Sequence, residues 1–127
     1  MKEQLSCVFC SIDPSEIIES NQSMTMFFDK YPVTKDHMLI IPKEHRSDFF
    51  DLNDDEYRDF RDLLDTSKKL ILKRDPKVTG FNIGMNCGLS AGQTIFHCHI
   101  HLIPRRDGDM DNPAGGVRGV IPQKQKY

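Results

Sequence analysis

"HCHIHLIPRR", residues 97–106, places three of the chain's five histidines at alternate positions. In a β-strand a period of two puts His97, His99 and His101 on one face at intervals of about 6.6 Å and turns Cys98, Ile100 and Leu102 to the other. The apolar alternation accounts for a strand packed on a core. It does not account for three imidazoles opposite. A lone strand histidine is usually structural, whereas three in register beside the glycine-containing loop CGLSAGQ (87–93) point to chemistry. One arrangement is a three-histidine metal site with an open position for water. The other is a division of labour, in which a central neutral imidazole is the nucleophile and a neighbour handles charge or a proton. The outer two histidines of a straight strand stand about 13 Å apart, so the row suits the second arrangement better.

Outward from this stretch, VTGFNIGMN (78–86) alternates apolar residues with small or polar ones and predicts a strand. It pairs as an antiparallel hairpin, across 87–93, with a histidine strand over 94–104 that stops at Pro104. MTMFFD (24–29) and HMLIIP (37–42) are β-rich runs separated by a turn-prone segment with Pro32, and predict neighbouring antiparallel strands. Between the two pairs, Phe60, Leu63, Leu64, Ser67 and Ile71 fall on one helical face, with Asn53 as N-cap, Glu56 as its N3 partner and a stop before Pro76. Asp55, Arg58, Asp59 and Lys68 are read as that helix's solvated face. The last 21 residues are rich in Gly and Pro without a helical period, and predict an extended tail. The expected architecture is α+β: an antiparallel sheet of about five strands, one main α-helix and an extended C-terminal tail.

The 127 residues are the length of one domain, read as 1–127 with a core over 7–106 and the tail over 107–127. Seventeen Lys+Arg against 19 Asp+Glu, interspersed, give no electrostatic case for a nucleic-acid backbone or an anionic membrane. The N-terminal segment lacks the apolar run of a secretory signal, and no stretch approaches the roughly 20 apolar residues of a membrane span. A soluble cytoplasmic protein is expected, in which thiols stay reduced. Cys7 and Cys10, spaced C-x-x-C, then read as metal or redox ligands, and Cys87 and Cys98 as small buried apolar residues.

HCHIHLI resembles the signature of the histidine triad (HIT) superfamily of nucleotide hydrolases and transferases. CVFCSI, MFFDKYPVTKDHMLIIPKEH and GFNIGMNCGLSAGQTIFHCHIHLIPR are similar to the family's other blocks, in the family's order and spacing, and span most of 7–106. The resemblance implies a HIT-like fold. It implies that His99 attacks the α-phosphorus of a nucleotide, forming a covalent nucleotidyl-imidazole that water hydrolyses. It also implies that His101 contacts phosphate or leaving-group oxygens, that His37 buttresses the triad and that Asn86 faces the scissile bridge. Gln93 and Thr94 fall where the family's loop contacts phosphate, Asp29 where it binds ribose, and Phe9, Ile12 and Phe27 where it walls a purine. In a subset of the family, Cys7, Cys10, His45 and His97 would hold a structural Zn2+.

The resemblance further implies a purine nucleotide substrate and a homodimer. From its position alone, Arg118 in the glycine-rich tail is expected to reach an active site, across the dimer. Asp36 stands where the family often has glycine. Asp29 is shared with the adenosine phosphoramidase-type branch, while GFNIGMNCGLSAGQT and GDMDNPAGGVRGVIP resemble bacterial dinucleoside polyphosphate hydrolases. The expected activity is therefore hydrolysis or nucleotidyl transfer on a dinucleoside polyphosphate such as diadenosine tetraphosphate. A phosphoramidase and a non-catalytic nucleotide-binding protein are the alternatives.

Overall fold

A computed structural model describes residues 6–127. Its centre is a five-stranded antiparallel sheet of order β1-β2-β3-β5-β4, formed by Ile17–Ser20 (β1), Met24–Phe28 (β2), Met38–Pro42 (β3), Val78–Gly84 (β4) and Ile100–Arg106 (β5). One long helix, Asp54–Arg74 (α1), joins β3 to β4. The α+β architecture expected from the sequence is the one observed.

Alternation along the strands divides the sheet into two faces. Met24 and Met26 of β2, Met38 and Ile40 of β3, and Ile100 and Leu102 of β5 form one buried cluster with Leu63 and Ile71 of α1. Burying side chains of this size contributes roughly 1.5–3 kcal/mol each. Their in-between neighbours Phe27, Leu39 and Ile41 form a second cluster with Phe9 and Ile12. The helix thus covers one face, and the N-terminal segment packs against the other.

Helix α1 begins where the sequence places it. Asn53 Oδ1 accepts the Glu56 amide at 2.9 Å and Glu56 Oε1 accepts the Asn53 amide at 2.8 Å, a reciprocal capping box. Two of its charged residues turn inward. Asp59, read as solvated, accepts the Ser23 hydroxyl at 2.6 Å and clamps the helix to the β1–β2 turn. Glu56 is 2% exposed and carries Arg46 Nε at 3.0 Å.

Expectations for two segments are corrected. β5 starts at Ile100, so His97 and His99 precede the strand, and it runs through Pro104 to Arg106 instead of stopping there. Cys98 N donates to Arg46 O at 2.6 Å and the His97 ring reaches Pro42 O, which holds 97–99 beyond the end of β3. Pro104 is tolerated because β3 pairs only with Ile100, His101 and Leu102, leaving β5 one neighbour at that point. The tail is not extended either. It forms 3-10 turns at Gly116–Val120 and Pro122–Lys124. Arg118 donates to Lys124 O and its guanidinium lies over Tyr127, so within this chain it engages the tail itself. Finally, β1 had no sequence signal, because three of its four residues are exposed at the sheet edge.

Candidate active site and metal centre

The second face of the sheet lies under a cavity of about 830 Å³, within the size range of small-molecule sites. Phe9, Ile12, Phe27 and Leu39 give it apolar walls; Asp29, His37, His99 and His101 are among its polar groups, with Asp13, Glu16 and Lys30 also in the lining. Asp29 and His37 meet because they extend the β2–β3 ladder by one pair, with Asp29 N donating to His37 O at 2.9 Å. His101 enters from β5, opposite Leu39.

Obligate partners fix the histidine tautomers. Val33 N can only donate, so His37 Nδ1, 3.0 Å away, accepts and the neutral ring carries its proton on Nε2. That Nε2–H lies 2.9 Å from His101 Nδ1, which must accept, leaving His101 with its proton on Nε2. The Asp29 carboxylate stands 3.5 Å from the same His37 nitrogen. His97 O can only accept, so His99 Nδ1 donates to it at 2.9 Å and His99 Nε2 keeps a free lone pair. One imidazole is thereby presented as a nucleophile and its neighbour as a hydrogen-bond donor. Burial pushes His101 down to about 4, helped by nearby His37 and His99, and burial also lowers His37. Both rings are neutral near pH 7, as this relay requires.

A second cluster adjoins the first. Cys7, Cys10, His45 and His97 bring four donor atoms within 4.8 Å of one another. His97 Nε2 donates to Pro42 O at 2.9 Å, which turns its Nδ1 lone pair toward the two sulfurs at 3.4 Å each. His45 Nδ1 is 3.1 Å from Cys10 Sγ. Nitrogen-to-sulfur edges of a tetrahedron around Zn2+ are about 3.5 Å for ordinary Zn–N and Zn–S bonds, so the residues present fit that ion closely. His97 is fully buried, and its basicity is lowered first by that burial, which favours the neutral, ligating ring.

Asp29, His37 and His101 also gather three ligand atoms. Here the 2.9 Å contact between nitrogens already pairs an N–H with a lone pair, and the trio reads as a hydrogen-bonded relay.

The loop residues are placed differently from one another. Asn86 and Thr94 are exposed and stand outside the cavity lining, and a Cβ at Gly92 would come within 3.8 Å of Asn86 Nδ2. Gly88 and Gly92, with φ of 95° and 90°, let the loop turn back sharply. Gln93 is 3% exposed and fully engaged: its Oε1 accepts Gly88 N at 2.8 Å, and its Nε2 donates to Ser47 O at 2.6 Å and Ile95 O at 3.1 Å. Its amide shapes the loop from within. The cavity also has Leu39, Ile95, Val8 and Tyr31 in its lining, which the sequence reading missed. Only Leu39 carried a signal, as the strand residue alternating with Met38 and Ile40.

Comparison with known proteins agrees with this geometry. The HIT domain matches residues 11–108. The chain is 37% identical over 118 residues to the adenosine 5'-monophosphoramidase of Candida albicans, covering 84% of this chain and 75% of that protein. A crystal structure of a HIT family protein from Bacillus anthracis superposes with a TM-score of 0.74 at 33% identity, covering 82% of this chain and 76% of that one. A zinc-bound histidine triad family protein from Mycobacterium smegmatis has a TM-score of 0.69 at 31% identity, covering 85% and 81%.

Proposed function

The chain belongs to the HIT domain family, and we propose that it acts as a nucleotide hydrolase or nucleotidyl transferase whose attacking atom is Nε2 of His99. The observation that carries this reading is the pair of opposed tautomers: a free lone pair on His99 beside an N–H on His101. In the first step the His99 Nε2–phosphorus bond forms and the bond from the α-phosphorus to the leaving group breaks. Water then attacks the same phosphorus, the nitrogen–phosphorus bond breaks, and His99 returns to its neutral form. His101 donates to phosphate or leaving-group oxygens, and Asn86 and Thr94 reach the phosphates from the loop. Asp29 accepts the ribose hydroxyls. Phe9, Ile12 and Phe27 hold the purine.

A dinucleoside polyphosphate such as diadenosine tetraphosphate suits the relay. Among the described residues His37 Nδ1 faces the Val33 backbone amide, so the neutral His101 offers a hydrogen bond and no spare proton. A polyphosphate leaves as a stable anion and needs none. Similarity to the Candida phosphoramidase favours a phosphoramidate as the second reading.

Cys7, Cys10, His45 and His97 would hold Zn2+ in a closed, four-ligand site that supplies a structural crosslink and no open coordination position. The protein works as one domain in the cytoplasm and as a homodimer; Ile83, exposed on the edge strand β4, supports pairing there. Among the described residues no helix is long and apolar enough to cross a membrane.

The test is a panel of dinucleoside polyphosphates, nucleoside phosphoramidates and nucleotide sugars with products identified, run on wild type and His99→Ala. Turnover should yield a nucleoside monophosphate, vanish in His99→Ala while nucleotide still binds, and leave an acid-trapped adduct on His99. Turnover retained by His99→Ala overturns the reading.

A further inference from the structure

The turn between β2 and β3 carries both Asp29 and His37, and one residue in it adopts a backbone conformation that its own side chain disfavours. Asp36 has φ of 70°, alone in the left-handed region among the described non-glycine residues. A Cβ crowds the neighbouring carbonyl there, so glycine adopts this conformation freely, while aspartate adopts it at a cost that hydrogen bonds to its side chain offset.

The support is visible. The Asp36 carboxylate, 6% exposed, receives Arg74 through two hydrogen bonds, Nη2 to Oδ1 at 3.2 Å and Nε to Oδ2 at 3.3 Å. Arg74 is the last residue of α1, and its guanidinium also lies 4.8 Å over the Phe28 ring at the end of β2. Neighbouring groups of the turn are tied down as well. Arg106 donates to Lys35 O at 2.9 Å and Thr34 Oγ1 to Pro104 O at 2.7 Å.

The shape of this turn decides a proton position. His37 N donates to Thr34 O at 3.2 Å, closing the turn and bringing the Val33 amide onto His37 Nδ1. A different φ at residue 36 would swing that amide off the ring. His37 could then carry its proton on Nδ1, its Nε2 would accept instead of donate, and His101 would have to turn its own proton inward, away from the cavity.

We propose that Asp36 and Arg74 are positioning residues for the active site: their ion pair holds the 33–37 turn in the one form that fixes the tautomers of His37 and His101. The ion pair here substitutes for glycine at residue 36. The kinetic consequence rests on the hydrolase reading above, while the tautomeric consequence does not.

The experiment compares wild type with Arg74→Ala, Asp36→Gly and the double variant. Long-range proton–nitrogen correlation spectra of the imidazoles report the tautomers, and turnover is measured in parallel. Wild type should show His37 and His101 protonated on Nε2 alone. Arg74→Ala should mix the tautomers of both rings and lower kcat about tenfold. Asp36→Gly should keep the wild-type pattern, and adding Arg74→Ala to it should change neither the spectrum nor kcat by more than about twofold, because glycine needs no support. Wild-type tautomers in Arg74→Ala, or equal sensitivity to that change in the glycine background, overturn the proposal. Should Arg74→Ala fail to fold, Arg74→Gln, which keeps the stem beside Phe28 and removes the charge, is read by the same criteria. If no substrate in the panel is turned over, the spectra still decide this inference and only the hydrolase reading falls.

Discussion

His99 Nδ1 lies 2.9 Å from the carbonyl oxygen of His97, and the His97 ring points its own Nδ1 at the two N-terminal sulfurs. The backbone of one candidate zinc ligand therefore orients the proposed nucleophile two residues on. The two clusters are parts of one construction, with Phe9 between Cys7 and Cys10 facing His99 at 5.2 Å between ring centroids.

Breaking the candidate zinc site should thus disturb more than stability. Cys10→Ala is expected to abolish zinc in the purified protein and to lower Tm by about 10 °C, since a structural site is worth several kcal/mol and each costs roughly 3 °C in a domain of this size. Turnover should fall as well, by about 10-fold to 100-fold, as it does when outer supports of a site are lost. His99→Ala, by contrast, should retain its zinc. Metal analysis of both variants checks the assignment, and zinc lost equally from both would place His99 among the ligands.

Buried His37 and half-buried His101 predict the pH dependence of stability. His101 lies at about 4 in the folded chain and His37 is also lowered, against about 6.5 when unfolded. Between those values the unfolded chain binds more protons, so their contribution is fully present above about pH 6.5 and is lost as pH falls through about 4. For His101 the loss amounts to about 3 kcal/mol at most. Urea midpoints should be level above about pH 7 and decline below it, less steeply in His101→Asn. An unchanged slope in that variant would assign the decline to other groups.

Glu56 predicts a stability effect with a clear sign. Its carboxylate takes Arg46 Nε on both oxygens, at 3.0 and 3.1 Å, and the Asn53 amide at 2.8 Å. Arg46 in turn offers its carbonyl to Cys98 N. Glu56→Ala leaves a guanidinium without its partner and an uncapped amide, and should cost about 3 kcal/mol. Glu56→Gln keeps the cap and should cost less than half of that in the same urea titration.

The helix and its capping box were legible because they are local: Asn53, Glu56 and the apolar period lie within one stretch of chain. The central strands β2 and β3 were legible for the same reason, and the alternate spacing of the histidines singled out the site. What escaped the sequence is tertiary. Arg46 O and Pro42 O, some fifty residues upstream, hold His97 and Cys98 outside the strand that their alternation predicts. The clamp of Asp59 on Ser23 depends on how α1 lies over the sheet. The left-handed turn at Asp36 is supported by an arginine 38 residues away.

Gln93 is the sharpest instance, and it gives a test. An amide beside a phosphate loop suggests a ligand contact, yet its three hydrogen bonds all go to backbone groups. Gln93→Glu removes both Nε2 donors and sets a carboxylate against the carbonyls of Ser47 and Ile95. It should destabilise the fold by about 3 kcal/mol, more than Gln93→Ala, in thermal denaturation without substrate. If instead only KM rises and stability holds, the side chain serves the phosphate.

Phe9 separates the proposed purine pocket from the candidate zinc site in a single measurement. Its ring lies 5.8 Å from Phe27 and 5.2 Å from His99 between centroids, and its neighbours in sequence are anchored through Cys7 and Cys10. Phe9→Ala removes a flat wall without touching a ligand atom, so zinc content should stay as in wild type. Lost stacking of about 1.4 kcal/mol corresponds to a KM about tenfold higher. kcat should change by less than about threefold, because the hydrogen bond from His99 to His97 O does not involve the ring. Phe9→Leu, which keeps apolar area but no face to stack on, should fall between. The opposite split, with KM unchanged and kcat falling, would mean that Phe9 braces the His99 imidazole and that the base binds elsewhere in the cavity.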